Sequence, residues 1–196
     1  MVRALVVAVL AVGSMCLPAA AADVGKPSPE FAIRFNDGSQ KLLSSYRGKV
    51  VVVEFLHTTC PHCQHASEVM SQLYTEFGAK GFQPLGVAWN EMANLLVPDF
   101  IKDFKVNYPV GYAPREEVMS YLGFSAVERT VVPQIVWIDR KGVVRSQTPP
   151  MGDDKLLREP YWREMIETML KEPGPAASHK PVPHHVTTRK AASTQG

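Results

Sequence analysis

Two cysteines at the junction of a strand pattern and a helix pattern most constrain how this chain folds. Val50 to Leu56 is an apolar, β-branched run, typical of a central strand buried on both faces. After Cys60 the apolar residues recur every three or four positions, which predicts an amphipathic helix with Pro61 at its first position and Gly78 at its end. The expected apolar stripe consists of Ala66, Val69, Met70, Leu73 and Phe77. Cys60 is therefore expected at a helix N-terminus, with Cys63 nearly one turn inside the helix.

Strand and helix patterns alternate along the remaining chain, which predicts one α/β domain with a central sheet flanked by helices. An N-terminal hairpin is predicted around Asn36-Asp37-Gly38, whose residues tolerate positive φ. Its strands are expected at Phe31–Phe35 and Lys41–Leu43. The later predicted elements are a strand at Phe82–Ala88, a helix at Leu95–Phe104, a strand and helix within Tyr108–Leu122, a hairpin of Val131–Ile138 with Gly142–Arg145, and a helix opening at Pro160.

The two ends of the chain differ in composition from its middle. Residues 1–22 have a basic start, a short apolar run and an A-x-A-like site near Ala22, which predicts a secretory signal peptide and a periplasmic or otherwise exported protein. Residues 171–196 are basic and rich in Pro and His, which predicts a disordered tail. Residues 23–170 form the predicted domain. No segment after the signal is long enough to span a bilayer, so no membrane insertion is expected after cleavage.

The charge pattern bears on possible partners. The chain carries a formal net charge of +2, and the excess of basic residues lies in the tail rather than in residues 23–170. A nucleic-acid partner is not expected, because the predicted domain has no basic stripe.

Removal of the signal would take Cys16 with it and leave Cys60 and Cys63 as the only cysteines. Such a short loop gains little as a structural disulfide, so the pair is predicted to be redox-active. A thiolate is the attacking species in disulfide exchange, and a helix N-terminus stabilises it through unpaired N–H groups and the helix dipole. Cys60, at the exposed helix entrance, is expected to attack, and Cys63 is expected to resolve.

The sequence around the pair resembles the thioredoxin superfamily, specifically its exported TlpA/ResA-like, AhpC/TSA-related redoxin branch. The resemblance runs from about Pro27 to Arg145 and includes Pro29-x-Phe31, Asp37-Gly38, Tyr46-Arg47-Gly48-Lys49-Val50 and Cys60-Pro61-His62-Cys63. It implies a thioredoxin-like fold with a mixed sheet and an inserted strand–helix segment. It also implies thiol–disulfide exchange with exported proteins and with an unidentified redox partner. This exchange is expected to require no cofactor.

The resemblance further implies roles for residues outside the cysteine pair. Glu54 lies six residues before Cys60, where thioredoxins carry a buried acid, and is expected to accept the Cys63 proton. The alternative is that Glu54 pairs with a lysine such as Lys49 or Lys80. Pro133 occupies the position of the family's cis-proline, so Val132 and Pro61 are expected to contact the substrate.

His62 lies between the cysteines, in the first turn of the predicted helix. Its ring N–H is expected to donate to the Cys60 thiolate, which would make the disulfide a stronger oxidant. The Pro-His dipeptide resembles the oxidase DsbA, whereas the TlpA/ResA resemblance favours a reductase. Both directions of electron flow are therefore kept open.

Two other functions are compatible with a C-x-x-C motif. A copper-binding or copper-delivery module would use Cys60, Cys63 and one of His57, His62 or His65. A peroxidase of the peroxiredoxin type would need a Pro and a Thr or Ser seven and three residues before the reactive cysteine. Cys60 has Val53 and His57 at these positions. Thiol–disulfide exchange is therefore the leading prediction, without a metal site.

Overall fold

A computed structural model describes residues 21–174 of the chain. Its centre is a seven-stranded mixed sheet with the strand order β2-β1-β5-β4-β3-β6-β7. The strands are β1 (Ala32–Arg34), β2 (Gln40–Leu42), β3 (Val50–Leu56), β4 (Phe82–Ala88), β5 (Val110–Tyr112), β6 (Gln134–Ile138) and β7 (Val144–Gln147). The strands β3, β4 and β5 are parallel, and β6 runs antiparallel to β3.

Four helices cover the two faces of this sheet. They are α1 (Pro61–Phe77), α2 (Ala93–Asp103), α3 (Arg115–Leu122) and α4 (Glu159–Lys171). The apolar sides of α1, α2 and α4 share one buried cluster with alternate residues of β3, whereas α3 packs in a second cluster with the other residues of β3. Burial of β3 on both faces explains its continuous run of valines. The predicted thioredoxin-like α/β sandwich is thus confirmed.

The strand that delivers the chain to the cysteines is buried along its whole length. All seven residues of β3 are buried, and its neighbours are β4 and β6. The helix α1 begins at Pro61 and ends at Phe77, as its pattern predicts. The N-terminal hairpin is also present, with β1 paired antiparallel to β2.

One predicted strand is shorter than its sequence suggests. The apolar run predicts a strand from Val131, but β6 starts at Gln134. The reason is that the Val131 N–H donates to the carbonyl of Pro150 rather than to a sheet neighbour, and Pro133 has no N–H to donate. The segment before β6 is therefore free to lie against the cysteines instead of extending the sheet.

The described residues, 21–174, begin and end close to the boundaries of the predicted domain, 23–170. The predicted signal peptide, 1–22, lies outside the described residues except for its last two positions, and the predicted tail does so after Gly174. Helix α4 ends at Lys171, and Glu172 lies 2.6 Å from Arg145, so these two residues belong to the folded part rather than to the tail. Between residues 21 and 174, no helix combines the length and apolar character that a membrane crossing needs.

Candidate redox site

The two cysteines occupy different environments at the start of α1. Cys60 is the residue that precedes the helix, with extended backbone angles, and it is partly exposed. Its backbone N–H donates to the His57 carbonyl at 3.1 Å, and its carbonyl accepts from the Gln64 N–H at 3.0 Å. Cys63 is fully buried and belongs to the apolar cluster under α1. Both sulfurs are present as thiols.

A loop with a cis-proline lies over the exposed sulfur. The Val132–Pro133 peptide is cis, as the resemblance implies. The Cys60 thiol points at the Val132 carbonyl, with an Sγ to O distance of 3.9 Å. Thus Val132 and Pro133 form one surface with Cys60, which lies more than seventy residues earlier in the sequence.

Burial makes the Cys63 thiol harder to deprotonate than an ordinary thiol. Its pKa is raised far above the usual value, first by burial and then by the negative charge of Glu54. Cys60 also lies within hydrogen-bonding reach of this thiol. Cys63 therefore keeps its proton at neutral pH and can attack only when a neighbouring group takes that proton.

Glu54 projects from β3 toward α1 and is 1% exposed. Burial raises the pKa of its carboxyl to about 7, and hydrogen bonds from Ser67 and Tyr108 partly oppose this rise. The Ser67 hydroxyl donates to Oε2 at 2.8 Å, and the Tyr108 hydroxyl donates to the same oxygen at 3.1 Å. The alternative partners were lysines, but Lys49 donates to Gln83 instead, at 3.1 Å. A carboxyl with a pKa near 7 can both accept and release a proton at neutral pH.

Sequence reasoning missed Ser67 and Tyr108. Ser67 is fully buried and lies four residues after Cys63, so the helical spacing places both on one face. That spacing is the only signal that could have identified Ser67. Tyr108 is 54 residues from Glu54, and only the pairing of β5 beside β4 brings it to the site.

His62 and Pro61 are both exposed in the first turn of α1. The structure gives the Cys60 thiol no hydrogen bond from His62 within residues 21–174, and the expected bond to the thiolate stays a prediction.

His62 lines an open groove of about 1200 Å³ that runs beside the cysteines. Val132, Pro133 and Trp162 also line this groove. The exposed Met151 lies on its rim.

The histidines near the pair do not complete a metal site. The ring of His57 packs edge-on against Trp89, with centroids 4.5 Å apart. Burial and then the positive charge of Arg115 lower the pKa of His57. His65 is exposed on the outer side of α1 and lies 4.0 Å from Glu68. Over the described chain no three His, Cys, Asp or Glu side chains are grouped closely enough to hold a metal ion.

Known proteins with similar sequences are named as thiol-disulfide oxidoreductases. The chain is 24% identical over 150 residues to the thiol-disulfide oxidoreductase ResA of Bacillus thuringiensis subsp. konkukian, which covers 76% of this chain and 78% of that protein. It is 28% identical over 123 residues to ResA of Geobacillus thermodenitrificans, covering 63% and 67%.

Solved structures agree with the fold. A putative protein disulfide isomerase from Bacteroides thetaiotaomicron matches with a TM-score of 0.63 and 27% identity, over 76% of this chain and 91% of that one. A thiol:disulfide interchange protein of the thioredoxin family from Chlorobium tepidum TLS matches with a TM-score of 0.60 and 26% identity, over 74% and 95%. The AhpC/TSA family model matches residues 24–147, which include the strand β3, both cysteines and the cis-proline loop. The chain therefore belongs to the AhpC/TSA family.

Proposed function

We propose that this protein is an exported thiol–disulfide oxidoreductase that exchanges disulfides with other exported proteins through Cys60 and Cys63. The observation that carries the proposal is the unequal placement of the two sulfurs. Cys60 is accessible at a helix N-terminus, whereas Cys63 is buried, protonated and next to a carboxyl group with a pKa of about 7. This arrangement separates an attacking thiol from a resolving thiol.

The reducing half-reaction proceeds in two exchanges. The Cys60 thiolate attacks one sulfur of a substrate disulfide, forms a mixed disulfide, and releases the other substrate sulfur as a thiolate that takes a proton from water. Cys63 then loses its proton to Glu54 and attacks the Cys60 sulfur, which forms the Cys60–Cys63 disulfide and releases the second substrate thiolate. The substrate gains two electrons and the protein loses two. The same steps in reverse oxidise a substrate dithiol, so the potential of the pair decides the direction.

The surroundings of Cys60 support a polypeptide as the substrate. The groove beside the pair has an apolar floor formed by residues such as Val69 and Trp162, and it opens at the cis-proline loop. An extended chain could pair with the backbone of Val132 while its cysteine reaches Cys60, with Pro61 at the edge of the contact. With a volume of about 1200 Å³, the groove is larger than a single small thiol requires.

The proposed location outside the cytoplasm rests on the N-terminal sequence. The basic start, the short apolar run and the cleavage pattern near Ala22 are those of a secretory signal. In an oxidising compartment, a cysteine pair with this geometry needs a redox partner to keep it in one state.

Two single substitutions test the proposal. Cys60→Ser should abolish reduction of insulin, and Cys63→Ser should accumulate a mixed disulfide between Cys60 and the substrate, detectable by mass spectrometry and cleaved by dithiothreitol. The double variant is the control and should trap nothing. A Cys60→Ser protein with normal activity, or trapping on Cys63 in place of Cys60, would contradict the assignment of the two sulfurs.

A further inference from the structure

The carboxyl group of Glu54 is held asymmetrically. Both of its hydrogen bonds, from the Ser67 and Tyr108 hydroxyls, reach the same oxygen, Oε2. The other oxygen, Oε1, is buried and has no hydrogen-bond partner within residues 21–174. Since two hydroxyl hydrogens occupy Oε2, the proton of neutral Glu54 belongs on Oε1.

The neighbours of Glu54 provide no positive charge. On the sheet, Glu54 lies between Gly86 of β4 and Ile135 of β6, neither of which titrates. The helix α1 contributes Cys63 and Ser67, and the segment before β5 contributes Tyr108.

Because no counterion within residues 21–174 acts on it, the carboxylate is stabilised there by hydrogen bonds alone. Burial, followed by the charge of Glu54, raises the pKa of Tyr108 well above its usual value, so Tyr108 remains a neutral donor throughout. The two hydroxyl donors are therefore the groups that oppose the cost of burying the charge.

We propose that Ser67 and Tyr108 are positioning residues that leave Oε1 as the oxygen exchanging a proton with Cys63 and set the pH at which Cys63 resolves the mixed disulfide. This inference rests on the proposed role of Glu54 as the proton acceptor. In the step concerned, the Cys63 S–H bond breaks and an Oε1–H bond forms. At the same time a Cys63–Cys60 sulfur bond forms and the Cys60–substrate sulfur bond breaks, with the electron pair leaving on the substrate thiolate. Neither hydroxyl loses its own proton.

The direction in which the pKa of Glu54 changes follows from the loss of a hydrogen-bond donor. Removing a hydrogen bond to a carboxylate destabilises the charged form, so Tyr108→Phe or Ser67→Ala should raise the pKa of Glu54 above about 7. A rise of about one pH unit lowers the ionised fraction at pH 7 from about a half to about a tenth, a roughly fivefold slower resolution. At pH 9 Glu54 is ionised in both proteins, so the rates should converge.

The experiment mixes the reduced full-length protein with Ellman's reagent, so that Cys60 forms a mixed disulfide with thionitrobenzoate and releases a first coloured thiol. Release of the second coloured thiol, followed by stopped flow between pH 5.5 and 9, reports the attack by Cys63. The matched control is Ser71→Ala, because the Ser71 hydroxyl lies on the same helix but donates to the Ser67 carbonyl, at 2.8 Å, and not to Glu54. Tyr46→Phe removes another buried phenolic hydroxyl, from the opposite cluster of the core. Both controls should keep the wild-type pH profile.

The outcomes separate the inference from the function on which it rests. If Glu54→Gln keeps the wild-type profile, Glu54 is not the proton acceptor and the proposed role of Glu54 fails together with the inference. If Glu54→Gln removes the inflection but Tyr108→Phe and Ser67→Ala leave it near pH 7, only the inference is overturned. Uniform slowing at every pH would assign both residues a purely structural role and would also overturn it. Should Tyr108→Phe fail to fold, Ser67→Ala gives the same decision alone.

Discussion

Replacing Glu54 by glutamine should change how the stability of the fold depends on pH. The carboxyl is completely buried, and its pKa rises from 4.5 to about 7. Between these two values the folded protein binds a proton that the unfolded chain releases, so the free energy of unfolding falls as the pH rises. Stability from this group is fully present below pH 4.5 and is lost as the pH passes through 7. Glutamine has no such titration.

The magnitude follows from the difference between the two pKa values. About 2.5 pH units at about 1.36 kcal/mol each correspond to about 3 kcal/mol. Glutamine can accept from Ser67 and Tyr108 through its carbonyl, and its amide occupies the position of Oε1, where neutral Glu54 carries its own unpaired hydrogen. The two proteins should therefore be similarly stable at pH 4.5. At pH 8 the variant should be more stable by about 3 kcal/mol, or about 6 to 12 °C in Tm.

The assay is urea unfolding of both proteins at several pH values from 4.5 to 8, with thiols kept reduced. Comparing the two proteins cancels the titration of other groups, such as His57, whose pKa is lowered by burial. The quantity of interest is the difference in unfolding free energy and its slope with pH. The two proteins could instead show parallel curves of unfolding free energy against pH. A difference between the curves that changes by less than about 0.5 kcal/mol across the range would refute a raised pKa at Glu54.

Two further predictions concern the active-site turn and the sheet. His62→Pro should lower the reduction potential of the Cys60–Cys63 pair by tens of millivolts, because the predicted hydrogen bond from His62 to the Cys60 thiolate would be lost. An unchanged potential against glutathione would leave His62 without this role. Gly111→Ala should destabilise the fold by about 3 kcal/mol in chemical denaturation, because its Cβ would collide with the Arg34 carbonyl oxygen. Gly38→Ala, at a turn with open space but a φ of 79°, is the control and should cost only about 1–2 kcal/mol. Equal losses would contradict the close approach at Gly111.

The sequence could predict the local part of the site because local patterns control it. A continuous apolar run can be buried on both faces only as a central strand, and the change of period after Cys60 leaves only a helix. Pro61 and the spacing of the cysteines then place one sulfur at the helix entrance and the other inside, as the structure has them. The cis-proline was accessible only through resemblance, whereas Glu54 also stands out locally as the one acid in the apolar run from Val50 to Leu56.

The contacts that tune the chemistry depend on the tertiary structure. A lone acid in an apolar strand is compatible with a lysine pair. In the described part of the chain, however, the fold surrounds Glu54 with Ser67 and Tyr108 and no cation. Tyr108 reaches the site because β5 pairs with β4, a long-range pairing that leaves no periodic trace in the sequence. The early end of the predicted strand before Gln134 likewise depends on a hydrogen bond from Val131 to the distant Pro150. The sequence by itself thus determined where the two sulfurs lie, because backbone periodicity is local, whereas the protonation of Cys63 and Glu54 depends on burial and on partners that only the packed sheet and helices bring together.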